Sequence, residues 1–327
     1  MANDRVPIEI RPFEAGDEDP AAGLLADRHR RHRTAEPLLN AAFEDPAVAR
    51  AAIRALLDAD AASGVVARRE GEVVGYVVGI SKDPATWGPN VWVEAAGHAA
   101  VEPSIVRALY ASLAADWVAA GRMNHHVLVP ASDAALIDAW FSLDFGQQHL
   151  HAVRDVPDRS FGVIPSSELV VRRATHDDID AMIPLERVLP AHLGESPVFS
   201  RLPPSDPAEV RAELEEDIGG TAFAYWVAEH EERVIGSAIG CSLEVSPGHQ
   251  GPNRPARAAF LAYAAVLPDA RGLGAGKALG ETVLAWARDE GYAAVATDWR
   301  STNLEADRAW RAMGFRPTFR RLHRLIG

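Results

Sequence analysis

The stretch Val266–Gly291, VLPDARGLGAGKALGETVLAWARDEG, sets Gly272, Gly274 and Gly276 between a strand-like apolar run and a helix-like one. A helix that starts at such a loop presents several unpaired N–H groups and a partial positive charge, so its default guest is a phosphate or pyrophosphate. Lys277 stands where a cation assists. Behind the loop, Leu279, Val283 and Trp286 fall at i, i+4 and i+7, which is one buried helix face. The spacing G-x-G-x-G is not the G-x-G-x-x-G of a dinucleotide fold. Nor is it a Walker loop, because Gly276 follows Gly272 by four residues and Lys277 is followed by Ala278.

Around this stretch the chain repeats itself once. IEIRPFEAGDED near the start matches LVVRRATHDDID later, with Arg11 and Arg172 standing 161 positions apart. The same interval relates Gly75 in EVVGYVVGI to Gly236 in RVIGSAIGC, both strand-like by alternation and β-branched content. Further on the interval is 170: Gly121 matches Gly291, Trp140 matches Trp310 and Phe145 matches Phe315. The Pro- and Gly-rich Ser246–Ala258 accounts for the added residues as a loop. A period this long is a duplicated domain, beyond the roughly 20–50 residues of solenoid repeats. The expected division is 1–155 and 167–327, joined through Arg154–Glu168, where Pro, Ser and Gly concentrate.

In the second copy the pattern predicts strands around Leu169–Arg172, Phe223–Glu229, Arg233–Leu243, Ala259–Val266 and Ala293–Asp298, with a closing strand after Phe315. Helices are expected after Asp177 or Asp178, over the stretch begun by Pro207, from the glycine loop to about Glu290, and from about Asn303 to Met313. The fold class is α/β (α+β), with helices packed on a mixed sheet in each copy.

Composition narrows the function. A net charge of −13 argues against generic nucleic-acid binding, which calls for an excess of Lys and Arg, and favours cationic partners such as amines. Cys241 is the only cysteine, so neither an intrachain disulfide nor a multi-cysteine metal site can form. It lies in an apolar strand and reads as a packing residue. The twelve histidines form no H-E-x-x-H or comparable pair, so no metal is expected. No apolar run reaches the roughly 18 residues of a membrane span, and the N-terminus lacks a signal core. The expectation is a cytoplasmic protein, a monomer or homodimer, with no nucleic-acid or membrane partner.

Arg271, Gly274 and Gly276 fit [QR]-x-x-G-x-[GA] after a fourth strand. Asn303, Ala306, Trp310, Gly314 and Phe315 fit N-x-x-A-x-x-x-aromatic-x-x-x-G-F. On these two motifs Leu169–Gly327 resembles the GNAT superfamily of N-acyltransferases, and the first copy resembles the same fold more faintly. The resemblance implies tandem GNAT-like domains, each a mainly antiparallel mixed sheet flanked by helices. It implies acetyl-CoA or another acyl-CoA as co-substrate, with its pyrophosphate on Arg271, Gly272, Leu273, Gly274, Ala275, Gly276 and Lys277. The pantetheine arm would run beside Ala265 and Val266, where their strand parts from Ala293–Asp298, with Asn303 reaching the pantetheine or ribose side. The implied reaction is transfer of the acyl group to the amine of a small molecule. The alternative is a non-catalytic acyl-CoA sensor or interaction protein.

Several residues depart from the family pattern. The tyrosine that often protonates the departing thiolate is replaced by Trp310, whose indole is not an acid of that kind. Trp140 holds the same place in the first copy, which favours packing. The fourth strand has no carboxylate base, leaving Asp298, Tyr263 and Glu244 as candidates, with His249 in the inserted loop behind them. At the position of the glycine loop the first copy reads Glu102-Pro103-Ser104. The proline removes an amide donor and the carboxylate repels a diphosphate, so this copy is expected to keep the fold without the coenzyme site.

Overall fold

The computed structural model describes residues 7–84, 87–156, 169–200 and 205–327. In chain order the first copy gives β1 (Glu9–Pro12), α1 (Glu18–Ala35), α2 (Pro46–Leu57), β2 (Ala62–Arg69), β3 (Glu72–Lys82), β4 (Asn90–Val93), β5 (His98–Ala100), α3 (Ile105–Ala119), β6 (Asn124–Pro130), α4 (Ala134–Phe141) and β7 (Gly146–Asp155). The second gives β8 (Leu169–Arg173), α5 (Ile179–Glu186), α6 (Val188–Leu193), α7 (Pro207–Gly219), β9 (Phe223–His230), β10 (Arg233–Ser242), β11 (Ala258–Val266), α8 (Ala275–Asp289), β12 (Ala294–Arg300), α9 (Leu304–Ala312) and β13 (Arg316–Leu325). The mixed α/β architecture is the expected one, and the strands and helices read from the second copy lie within a few residues of their places.

The duplication persists at atomic detail. Arg11 donates two hydrogen bonds to Asp17, at 2.8 and 2.7 Å, and Arg172 makes the same pair to Asp178 at the same distances. Each aspartate closes a capping box at the start of a short 3₁₀ turn that leads into the first helix of its copy. Glycines on the second long strand of each copy make room for an indole: a Cβ at Gly79 would stand 2.4 Å from the Trp117 ring, and one at Gly240 2.9 Å from Trp286. Both sites demand glycine for space, a packing constraint that the two copies share.

The two compact units are not the contiguous halves that the sequence suggests. One comprises Met1–Leu150, Gln250–Arg254 and Pro317–Gly327, the other His151–His249 and Pro255–Arg316. Strand pairing outweighs chain proximity here. β13 is antiparallel to β6, with Phe319 opposite Pro130 and Leu325 opposite Asn124, and buries Phe319 and Leu322 in the first unit. That sheet runs β1-β2-β3-β4-β6-β13, then residues 146–150 of β7, so the closing strand is an interior strand. Most of the connection read at Arg154–Glu168 lies outside the described residues.

In the second unit the order is residues 151–155 of β7, then β12-β11-β10-β9-β8. β11 and β12 are parallel, paired at Ala258 with Ala294, Ala259 with Val295 and Phe260 with Ala296. Past that point the Thr297 hydroxyl donates to the Leu261 carbonyl at 3.0 Å, in place of a main-chain bond, and the strands run on unpaired with each other. On the far side β11 carries an irregularity opposite Ile239/Gly240. A bulge there bends the strand and helps open the gap toward β12. No helix among the described residues is long and apolar enough to cross a membrane.

Candidate functional site

The gap between β11 and β12 opens toward the start of α8. From Val266 the chain passes a 3₁₀ turn at Pro268–Ala270, then Gly272 at φ +90° and Gly274 at φ +86°. Those left-handed conformations select glycine by backbone geometry, and a Cβ at either position would meet nothing within 4 Å. Gly274 is the N-cap residue and supplies no side chain, so the first intrahelical bond is from the Ala278 N–H to the Gly274 carbonyl at 3.0 Å. The amides of Ala275, Gly276 and Lys277 precede that bond and are the helix's orphan donors.

Gly276 differs from its two neighbours. Its backbone lies outside the left-handed region, and a Cβ would only touch Val266 Cγ2 at an ordinary 3.7 Å. Neither backbone strain nor internal packing therefore asks for glycine there.

The other residues expected at this site surround the loop. Arg271 is exposed and reaches Glu305 of α9 at 3.2 Å. Leu273 is exposed, and Lys277 lies 3.6 Å from Glu281, one helical turn on. Ala265 is buried and Val266 half-buried at the end of β11. Asn303 is buried at the N-cap of α9, where its Oδ1 accepts from the Ala306 N–H at 3.1 Å and lies 3.2 Å from His192 Nε2. That oxygen is committed to the cap, which leaves the amide nitrogen to serve a ligand. Trp310 lies edge-on to Phe315, 5.8 Å between centroids, and beside Gly280. This is packing, as Trp140 is packed in the first unit.

The three candidates for proton transfer have different surroundings. Tyr263 on β11 donates its hydroxyl to the Leu185 carbonyl at 2.5 Å, and burial together with the Glu186 charge pushes its pKa well above the ordinary phenol value. It is thus a poor base. Glu244 is exposed on a 3₁₀ turn whose amide bonds Ser242. Asp298 lies on β12 beyond the last residue paired with β11, and its carboxylate is 4.0 Å from His249 Nε2.

His249 is buried, with Nδ1 2.9 Å from Ser246 Oγ and Nε2 3.1 Å from His151 Nδ1. Burial lowers its pKa, against the pull of Asp298. One ligand atom each from His151, His249 and Asp298 lies within 4.8 Å of the others, so these three could hold a metal ion. Sequence spacing could not reveal the group, because its members come from three separated segments. Cys241 is buried, and its thiol is pushed up to about 12 by burial, which makes it inert.

A group that the sequence reading missed is Glu186, the last residue of α5. Burial and the like charge of Glu213 raise its carboxyl to about 7. Its helix was foreseen, but the contact of that end with Tyr263 of β11 was not, because nothing local encodes it.

In the first unit the equivalent turn runs from β5 into α3 through Glu102-Pro103-Ser104. Ser104 caps α3 without a side-chain bond, and Glu102 pairs with Arg69 at 2.8 Å. No left-handed glycine occurs there.

Residues 192–315 match the model of the acetyltransferase (GNAT) family. N-acetyltransferase 8B of Homo sapiens is 34% identical over 94 residues, which are 29% of this chain and 39% of that protein. The rat N-acetyltransferase 8B is 33% identical over the same length. The chain thus spans about two-fifths of these relatives. Among solved structures, a GCN5-related N-acetyltransferase from Sphaerobacter thermophilus superposes with a TM-score of 0.62 at 13% identity, covering 98% of this chain and 97% of that one. A glucosamine N-acetyltransferase region of a fungal multi-domain GH3 β-N-acetylglucosaminidase gives 0.55 at 15% identity, with 98% and 38% covered. At such identities the superpositions establish the fold.

Proposed function

We propose, on the match of residues 192–315 to the acetyltransferase (GNAT) family model, that this protein transfers an acetyl or other acyl group from acyl-CoA to the amine of a small molecule, using the site at the start of α8. The observation that carries the reading is Gly276, a glycine that the fold itself does not require, among amides that no side chain caps. The diphosphate of the coenzyme sits on the amides of Gly272–Lys277, with Arg271 and Lys277 near its charge. The pantetheine follows Ala265 and Val266 along the unpaired edge of β11, and Asn303 contributes its amide nitrogen.

The reaction needs the ammonium proton removed, the thioester carbonyl polarised and the leaving thiolate protonated. Asp298, with His249 behind it at 4.0 Å, is the one of the three sequence candidates on β12. Tyr263 holds the end of α5 against β11, and Glu244 is the outermost of the three candidates. Since Trp310 is no acid, the thiolate takes its proton from water or from the amine itself. Residues 1–155 act as a GNAT-like domain that has lost its coenzyme loop.

The test is calorimetry with acetyl-CoA, followed by free-thiol release against a panel of small amines. Binding with turnover supports transfer. Binding without turnover for any amine leaves the sensor reading, which the missing tyrosine favours, and absence of binding refutes both.

A further inference from the structure

We propose that Glu186 receives the acceptor's ammonium group and removes its proton, an assignment that rests on the acyl-transfer reading above.

Glu186 occupies a place that costs the fold stability. A carboxylate at the C-terminal end of a helix meets the negative pole of the helix dipole. Its Oε1 is sealed from solvent and has no hydrogen-bond partner among the described residues. The buried carboxylates Asp17 and Asp178, at helix entries, are each clamped by an arginine, Arg11 and Arg172. Glu186 is half-buried and has no such clamp, which leaves its carboxylate open to a cation arriving from outside.

Its surroundings agree in sign. The titratable groups that act on it from the packed elements are Glu213 of α7, Tyr225 of β9 and Tyr263 of β11. Tyr225 gives its hydroxyl to Asp217 at 2.8 Å. Arg211, the cation on α7, is engaged with Asp180. Nothing in this group offers Glu186 a positive charge, and Glu213 and burial hold its carboxyl near 7, the range in which a base both accepts and releases a proton at neutral pH.

Position completes the argument. Leu185, the preceding residue, takes the Tyr263 hydroxyl at 2.5 Å, which ties the end of α5 to β11 at a point past its last pairing with β12. That segment of β11 is the one along which the thioester lies in the proposed complex. In the step, R–NH₃⁺ gives one proton to the Glu186 carboxylate, and the freed nitrogen pair attacks the thioester carbon. The C–N bond forms, the C–S bond breaks, and the thiolate takes the second proton that the nitrogen sheds. Glu186 then returns its proton to water.

The test is Glu186→Gln, with Glu186→Asp beside it. The glutamine variant is expected to lose about 10²-fold in kcat at pH 7, to bind acetyl-CoA as the parent does by calorimetry, and to lose the acidic limb near pH 7 in kcat/KM. An acceptor amine that is already neutral at pH 7 restores most of its rate, and the aspartate variant stays between the two. Parent-like turnover with the limb intact, or a lower melting temperature than the parent at pH 8, overturns the assignment of Glu186. A parent protein that turns over no amine overturns the acyl-transfer reading itself, so the two failures are distinguishable.

Discussion

Gly276→Ala separates what the fold needs from what the ligand needs. In the unliganded chain the added methyl meets only Val266 Cγ2, at 3.7 Å, and the backbone there is one that alanine adopts freely. Replacing glycine at a compatible helical position restricts the unfolded chain and stabilises by about 0.5–1 kcal/mol. That corresponds to a rise of about 1–3 °C in melting temperature for a chain of this size. The same methyl points toward the end of β11, onto the track assigned to the carrier. It holds the diphosphate off the amides of Ala275–Lys277 and forfeits one charge-assisted hydrogen bond, worth about 1.5–3 kcal/mol. At 1.4 kcal/mol per decade, CoA affinity is expected to fall about ten- to a hundredfold. Scanning calorimetry reads the first effect and isothermal titration with CoA the second. A variant that is more stable and binds CoA within twofold of the parent would refute the proposed seat of the diphosphate.

Other outcomes follow from the same geometry. Replacing Glu102 or Pro103 with glycine should leave CoA affinity unchanged in titration, because the first unit has no loop to lose; a drop would move the coenzyme site. Asn303→Ala removes the cap of α9 and should cost about 1 kcal/mol in urea unfolding, with Asn303→Asp keeping the cap but not the amide donor and so weakening CoA alone. Glu186 is raised in the folded state, so the native protein holds a proton that the unfolded chain has released. Stability is therefore lost as pH climbs from about 4.5 through about 7, and Glu186→Gln should raise the urea midpoint at pH 8 and not at pH 4.5. His29, His32, His98 and His125 are buried neutral, with pKa values lowered to about 4, 3, 3 and 4. For these the unfolded chain takes up protons first, so stability falls as pH drops from about 6.5 toward 4. Equal urea midpoints at pH 7.5 and 5 would contradict that.

The loop was legible because its chemistry is local: left-handed turns at Gly272 and Gly274 and an uncapped helix start need only adjacent residues. The repeat was legible for the same reason, since Arg11–Asp17 and Arg172–Asp178 sit six residues apart in each copy. What sequence could not supply was anything made by distant pairing. The closing strand is rich in arginine, yet Phe319 and Leu322 bury it inside the first unit's sheet. The grouping of His151 with His249 and Asp298, and the docking of the end of α5 on Tyr263 of β11, likewise depend on which strands and helices meet, and no window of sequence contains that.

The strand that crosses between units has a consequence for how this polypeptide comes into being. Residues 317–325 are synthesised after everything in the second unit, yet β6 has no antiparallel neighbour without them. A ribosome-bound intermediate carrying only the earlier half therefore exposes an open strand edge, the kind that recruits unrelated chains. A gene cut between the repeats should yield two sticky fragments instead of two small proteins.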